Sequence, residues 1–186
     1  MVTSTIVTTG ITVLLLSMVA VIVRLKRKGY NALSGQPPIP LPAFLVGKIS
    51  MAIPIFFMLA SVWGLGVGPE PASALQGLAV LFLLVGLGFA VPSLVELGEE
   101  LRFGLSEEQA TIKSTGLYRL SRNPLYLGFY LIAIASCLYV PYWANILFAS
   151  LALVIHHQIT LAEERFLRQR FGQTYDDYTR QVRRYL

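Results

Sequence analysis

The sequence predicts an all-α integral membrane protein with five transmembrane helices, the N-terminus outside and the C-terminus inside. Three observations predict it. Of 186 residues, 55% are hydrophobic and only 13% are charged, against about 25% charge in an ordinary soluble domain. The apolar residues gather into runs near the length of about 20 residues that spans a bilayer as a helix. The cations segregate to alternate connections. All 15 Lys and Arg residues fall in three segments or at their edges, five in 24–48, four in 96–123 and six in 162–186. The connections between them carry none. A bias this complete sets the orientation by the positive-inside rule. It also reads the formal charge of +5 as a topology and lipid-surface signal rather than a nucleic-acid one. The length suits one domain, residues 1–186.

The first span covers 5–23, free of charge and rich in Val, Ile and Leu. It lacks a basic segment ahead of it, which favours a retained helix over a cleaved signal. Arg24-Leu-Lys26-Arg27-Lys28 follows and marks the inner side. Residues 29–42 end in Pro37-Pro38-Ile39-Pro40-Leu41-Pro42. Alternate prolines deny helical hydrogen bonds and favour a stiff extended connector.

The second span covers 43–66. Lys48 lies near its inner end and can snorkel outward, and Pro54 should kink it. After a short outer turn the third span covers 72–95. Its Gly86-Leu-Gly88 follows no strand, so it reads as small residues permitting close helix packing. Residues 96–123 form a polar inner loop. Ser106-Glu-Glu-Gln109 in it reads as a capping box, and Thr115-Gly116 as a turn. The fourth span, 124–140, is broken by Pro141. Tyr139, Tyr142 and Trp143 around that break suit an outer headgroup belt. The fifth covers 142–161, and a charged amphipathic tail, 162–186, ends the chain. The three N-terminal spans occupy 1–97, and the loop, hairpin and tail occupy 98–186.

Chemistry concentrates on the inner face, in the stretch Gly116–Gly128 and at Glu163-Glu164. A tight hairpin between the last two spans should bring Asn123 close to Glu163. Each feature has a plain reading as well. Asn123-Pro124 is a good helix start, with Asn as cap and Pro in the first turn. Glu164 and Arg168 are spaced to pair on a helix surface. Equally, two carboxylates beneath the membrane make a site for a cation, to which Tyr118 and Tyr126 would add their ring faces. His156-His157, one to two turns above the Glu pair, reads as packed, hydrogen-bonded histidine, with a proton acceptor as the sharper alternative. The single cysteine, Cys137, lies in an apolar run, and no Cys/His cluster points to a metal.

Taken in order, Gly116-Leu-Tyr118, Arg122-Asn123-Pro124-Leu125-Tyr126, Glu163-Glu164 and Phe171-Gly172-x-x-Tyr175-x-x-Tyr178 resemble the C-terminal half of the isoprenylcysteine carboxyl methyltransferases. Over a shorter span they also resemble the phosphatidylethanolamine N-methyltransferases. The resemblance covers about residues 105–186. It implies a membrane enzyme that uses S-adenosylmethionine in a helical pocket facing the cytosol, built from the loop, the last helix pair and the tail. Carried over by position, Ala110, Thr111, Ile112 and Lys113 would lie over the cofactor. Tyr118, Asn123, Pro124, Leu125 and Tyr126 would line the pocket. Glu163 would bind the cofactor's polar end, and Glu164 would complete the pair. Two departures set the chain apart from the prenylcysteine enzymes. Arg122-Asn123-Pro124 stands where they have Arg-His-Pro. Ile159 stands where they carry an arginine one turn before the cofactor glutamate, so a substrate carboxylate loses its partner.

The expectation is therefore methyl transfer from S-adenosylmethionine to an oxygen or nitrogen of an amphipathic substrate, lipid or prenyl-thioether-like, entering from the bilayer. An amine acceptor must lose a proton, which Glu164 or a histidine can take. Two other readings stand beside it. An NADPH-dependent membrane reductase of sterol-reductase type would use Arg119 and Arg122 for phosphates. A non-catalytic membrane protein would bind only a lipid or partner.

Overall fold

The computed structural model describes residues 2–29, 35–69, 72–98 and 112–186. Among them every regular element is helical: α1 Val2–Arg27, α2 Leu41–Val62, α3 Ser73–Leu97, α4 Pro124–Tyr139, α5 Trp143–Phe171 and α6 Gln173–Gln181, with one 3-10 turn, Gly116–Arg119. Each predicted span has its helix. Four of them, α1, α2, α3 and α5, are long and apolar enough to cross a membrane. The fourth predicted span differs. With 16 residues, α4 is about 24 Å long at the helical rise of 1.5 Å per residue, short of the about 30 Å of a hydrocarbon core. The predicted boundary after 161 also moves. The fifth helix runs on unbroken through the charged residues to Phe171, because nothing breaks it before Gly172, which takes φ +51°. The capping box at 106–109 lies outside the described residues.

The bundle is arranged as a chain of contacts. α3 packs on α1 and, most extensively, on α4, while α5 packs chiefly on α2, and α2 also meets α4. The α3–α4 crossing is backbone on backbone. A Cβ on Gly86 would lie 2.9 Å from the Gly128 carbonyl, and one on Gly128 would lie 2.7 Å from the Gly86 carbonyl and 2.6 Å from the Ala90 nitrogen. Gly86 and Ala90 thus form the small-residue stripe, four apart, that permits close approach. Gly88 takes no part, since a Cβ there meets nothing within 4 Å. Elsewhere Gly10 of α1 seats against Leu83 and Leu87 of α3, and Gly47 of α2 against Ile155 of α5.

Away from the basic residues, a buried polar knot closes the α4–α5 hairpin. The Asn145 amide donates to the carbonyls of Ser136 at 3.0 Å and Val140 at 2.9 Å. These carbonyls at the end of α4 also accept the backbone amides of Val140 and Tyr142, each at 2.7 Å, so Asn145 uses their second lone pairs. The Ser136 hydroxyl donates to the Pro54 carbonyl of α2 at 2.6 Å. Pro141 therefore ends α4, and Asn145 ties its last turn to α5. Many large apolar side chains face outward, Leu16, Ile49, Phe56 and Val154 among them. Such a surface suits lipid rather than water.

Replacing Gly128 by Ala is expected to push α4 off α3 and to destabilise the protein by about 1–3 kcal/mol, the usual cost of overpacking. Gly88→Ala is expected to be neutral or mildly stabilising through helix propensity. Thermal unfolding in detergent compares the two. A Gly128→Ala midpoint matching that of Gly88→Ala would place the helix crossing elsewhere.

Candidate functional site

The stretch from Gly116 to Tyr126 is anchored at both ends. At its start Gly116 has φ +56°, a conformation that favours glycine, and a Cβ there would collide with the Glu96 carboxylate. That carboxylate accepts the Leu117 amide hydrogen at 3.0 Å, so the end of α3 caps the 3-10 turn. Tyr118 is buried, and its carbonyl accepts the Tyr178 hydroxyl at 2.7 Å. Burial pushes the Tyr178 phenol up to about 12, which keeps it a donor.

At the far end stands Glu164. Its Oε1 accepts from Arg122 Nε at 3.1 Å and from the Asn123 amide at 3.1 Å. Its Oε2 accepts from Arg122 Nη2 at 3.3 Å and from Arg184 Nε and Nη2 at 3.0 and 2.9 Å. An ionised carboxylate offers about four lone-pair directions, so Glu164 is saturated. The pair is largely shielded, with side-chain exposures of 11% for Arg122 and 12% for Glu164. Arg184 is more open at 36%, and its hydrogen bonds to Glu164 raise its pKa above the usual guanidinium value.

The C-terminal segment is drawn into the same knot. Arg122 Nη1 donates to the carbonyls of Thr179 and Val182, each at 3.2 Å. The Arg122 amide donates to the Arg183 carbonyl at 2.9 Å. Ser121 and Asn123 side chains both donate to the Arg184 carbonyl, at 3.1 and 3.3 Å. Loop, α5 and tail thus close on one carboxylate.

Glu163 has a different environment. The Tyr126 hydroxyl donates to its Oε1 at 3.0 Å. Lys48 of α2 is close enough to couple with it electrostatically, while the Lys48 ammonium also stands 4.8 Å from the Phe44 ring centre. Behind Tyr126 lies buried His156, ring centres 5.8 Å apart, with Nδ1 2.9 Å from the Ala152 carbonyl. His157 points to the tail, its Nδ1 2.8 Å from the Tyr185 hydroxyl. Tyr185 also approaches the Tyr130 hydroxyl at 3.5 Å.

The structure therefore brings together Tyr126 with Glu163, and Asn123 with Glu164, as the hairpin predicts. Pro124 is buried at the first position of α4 and Leu125 packs on the core. Two plain readings change, and that of the histidines holds. Asn123 stands at the cap of α4 without a side-chain capping bond; its side chain is turned instead to donate through Nδ2 to Glu164 and the Arg184 carbonyl. Glu164 does not pair with Arg168, which takes Asp176 instead at 2.7 Å. Both histidines are hydrogen-bonded through Nδ1, one to backbone and one to a tyrosine.

Ala110 and Thr111 lie outside the described residues. Lys113 lines a separate cavity between α1 and α3, whose lining includes neither Glu163 nor Glu164. Lys48, Arg184 and Tyr185 were not singled out for the site from sequence. Lys48 carries a signal, being the lone ionisable residue of an apolar helix. Arg184 and Tyr185 carry none, since they sit in an extended segment past α6 with no periodicity to read. Among the described residues no cluster of His, Cys, Asp and Glu could hold a metal.

A family model described as phospholipid methyltransferase matches residues 75–174. No curated protein matches the chain. The matched segment covers more than half of the sequence and contains nearly all of α3, the whole of α4 and α5, the stretch from Gly116 to Tyr126, and both carboxylates. The chain accordingly belongs to the phospholipid methyltransferase family of membrane proteins.

Proposed function

We propose that the protein is an S-adenosylmethionine-dependent methyltransferase. It acts on an amphipathic substrate, lipid or prenyl-thioether-like, delivered from the bilayer. In this reading all five apolar helices cross or enter the membrane, with the N-terminus outside and the basic end, where Glu163 stands, facing the cytosol. The observation that carries it is the division between the two carboxylates. Glu164 is saturated by its own chain, whereas Glu163 is set beside Tyr126 with Lys48 as its counter-charge among the described residues. A carboxylate so placed fits the ammonium or sulfonium of the cofactor, and tyrosine faces add to the attraction. Among the described residues no cluster of arginines converges on Glu163, which disfavours the phosphates of a nicotinamide cofactor.

The cofactor supplies a sulfonium methyl group activated for transfer. The chain's part is positioning. Glu163 and Tyr126 hold the cofactor's polar end, and Tyr118, Asn123, Pro124 and Leu125 shape the wall beside it. Ile112 and Lys113, with Ala110 and Thr111, belong to the segment proposed to cover it. Glu164 is a positioning residue here. It fixes Arg122, Asn123 and the C-terminal segment, so that the wall is rigid before any ligand arrives. With its lone pairs engaged it is badly placed to take a proton. An oxygen acceptor that is already a carboxylate requires no base. For an amine acceptor, Glu163 and the His157–Tyr185 pair are the groups left to accept one.

Two expectations follow from this division. Glu163→Gln should weaken S-adenosylhomocysteine binding, measured by isothermal titration of detergent-purified protein, at least ten-fold while leaving the unfolding midpoint nearly unchanged. Tyr126→Phe should weaken it about five-fold, the value of one hydrogen bond. Saturable binding of NADPH and not of S-adenosylhomocysteine would overturn the reading.

Arg122→Ala should instead lower stability by about 3 kcal/mol, because it strands a shielded carboxylate. Arg184→Ala, removing a more exposed partner, should cost only about 1 kcal/mol. Thermal unfolding in detergent checks both. Equal midpoints for Arg122→Ala and the parent would remove the knot from the argument.

A further inference from the structure

The seam between α4 and α5 differs from the other helix contacts. α3 meets α4 backbone on backbone at Gly86 and Gly128, and α2 meets α5 with Gly47 seated on Ile155. α4 and α5 share a smaller interface, and a third segment enters it. Beyond Arg184 the chain sends the Tyr185 ring between the two helices. Its hydroxyl lies 2.8 Å from His157 Nδ1 of α5 and 3.5 Å from the Tyr130 hydroxyl of α4. Its ring meets that of Tyr130 edge-on, centres 5.6 Å apart, and lies 6.0 Å from that of His157. His157 precedes Glu164, and Tyr130 follows Asn123, by two helical turns, about 10 Å along the axis. Tyr185 thus fills the seam on the mid-bundle side of the carboxylates.

We propose that Tyr185 is a gate on the acceptor's path. Its ring occupies the seam in which the apolar body of the acceptor lies, and it swings out when the acceptor enters. The proposal rests on the methyl-transfer reading, in which an amphipathic acceptor brings its head to Glu163 and leaves its body among the helices. A contrast within the tail separates a gate from a fixed wall. The carbonyls of Thr179, Val182, Arg183 and Arg184 are tied to Arg122, Ser121 and Asn123, and the Arg184 guanidinium to Glu164. Among the described residues the Tyr185 hydroxyl has no carboxylate or guanidinium partner. Its approach to Tyr130 at 3.5 Å exceeds the about 2.5–3.0 Å of a good hydroxyl–hydroxyl bond. Charge-assisted bonds are roughly twice as strong as neutral ones, so Tyr185 is the joint that opens while the knot behind it stays closed. Tyr130, His157 and Tyr185 are all half-buried. With the ring swung out, the seam is lined by aromatic faces on which an apolar chain can lie.

Photolabelling of the protein in nanodiscs with a diazirine-bearing hexadecanol, mapped by mass spectrometry, tests this. The parent should label weakly at Tyr130 and His157. Tyr185→Phe keeps the ring and drops the hydroxyl, so it fills the same space with a looser hold. Labelling at both positions should then rise about five-fold, the value of one hydrogen bond. Tyr185→Ala, which removes the ring, should label at least as strongly. Lipid-facing Ile49 and Phe56 of α2 should label alike in all three proteins, and thermal unfolding checks that each is folded. Parent-level labelling in Tyr185→Phe beside strong labelling in Tyr185→Ala would make the ring a fixed wall and overturn the gate. Parent-level labelling in both would overturn it too, and Tyr185→Phe decides alone if Tyr185→Ala fails to fold. Isothermal titration of the parent with S-adenosylhomocysteine is read separately. Absent binding beside increased labelling would overturn methyl transfer and leave Tyr185 as the gate of an apolar seam.

Discussion

The Glu164 carboxylate is the constraint on which the basic end of the molecule depends. Five nitrogen donors from three side chains converge on its two oxygens. Those donors come from the stretch before α4 and from the last residues of the chain, while Glu164 itself rides on α5. Segments more than forty and about twenty residues away in sequence are thus fixed to one helix by one group. Charge-assisted, bidentate bonds of this kind are directional, which is why they can hold an extended C-terminal segment that has no helix or strand of its own. Such a knot is stable only when complete, since a shielded carboxylate missing a partner is costly. The backbone contacts around it, from the carbonyls of Thr179, Val182, Arg183 and Arg184, complete the donors of Arg122 and Ser121.

The helices deliver that convergence through packing that tolerates little change. Tyr126 reaches Glu163 because α4 lies flush on α3 at Gly86, Ala90 and Gly128, where any added carbon meets backbone. It also depends on α5 leaving the hairpin at the angle that Asn145 and Ser136 impose. α4 and α5 share a limited interface, and α2 takes much of the α5 surface. The proximity at the basic end is therefore a property of the bundle and not of the hairpin alone. That arrangement also explains how Lys48, on α2, comes to face Glu163.

The helices were legible in the sequence because each is an uninterrupted apolar run, and lipid-facing surface needs no periodicity to be recognised. Their ends were less so. α5 was expected to stop where charge begins, yet a helix does not end for want of apolar residues. It ends where a residue such as Gly172 departs from helical geometry. Both carboxylates, Asn123 and Tyr126 were readable as a group from spacing and resemblance. Which carboxylate serves which purpose was not. Local rules gave Asn123 a cap to make and Glu164 a neighbour, Arg168, one turn on. Both rules lost to partners far away in sequence, since a bidentate arginine outweighs an exposed pair worth a few tenths of a kcal/mol. Gly88 misled in the same way. Gly-x-Gly draws the eye, but the contact needs spacing of four, and Ala90 supplies it.

The same logic orders the charges at the basic end. Glu164 is matched by Arg122 and Arg184, and Lys48 stands as counter-charge near Glu163, so hydrogen-bond geometry rather than net charge decides what can enter. Glu96 obeys the same rule at the end of α3, where its carboxylate is turned to the Leu117 amide and serves the backbone of the stretch that leads to Arg122. Orientation in the membrane needs only that the cations lie on one side, whereas the position of Arg122 is set by the carboxylate it must meet.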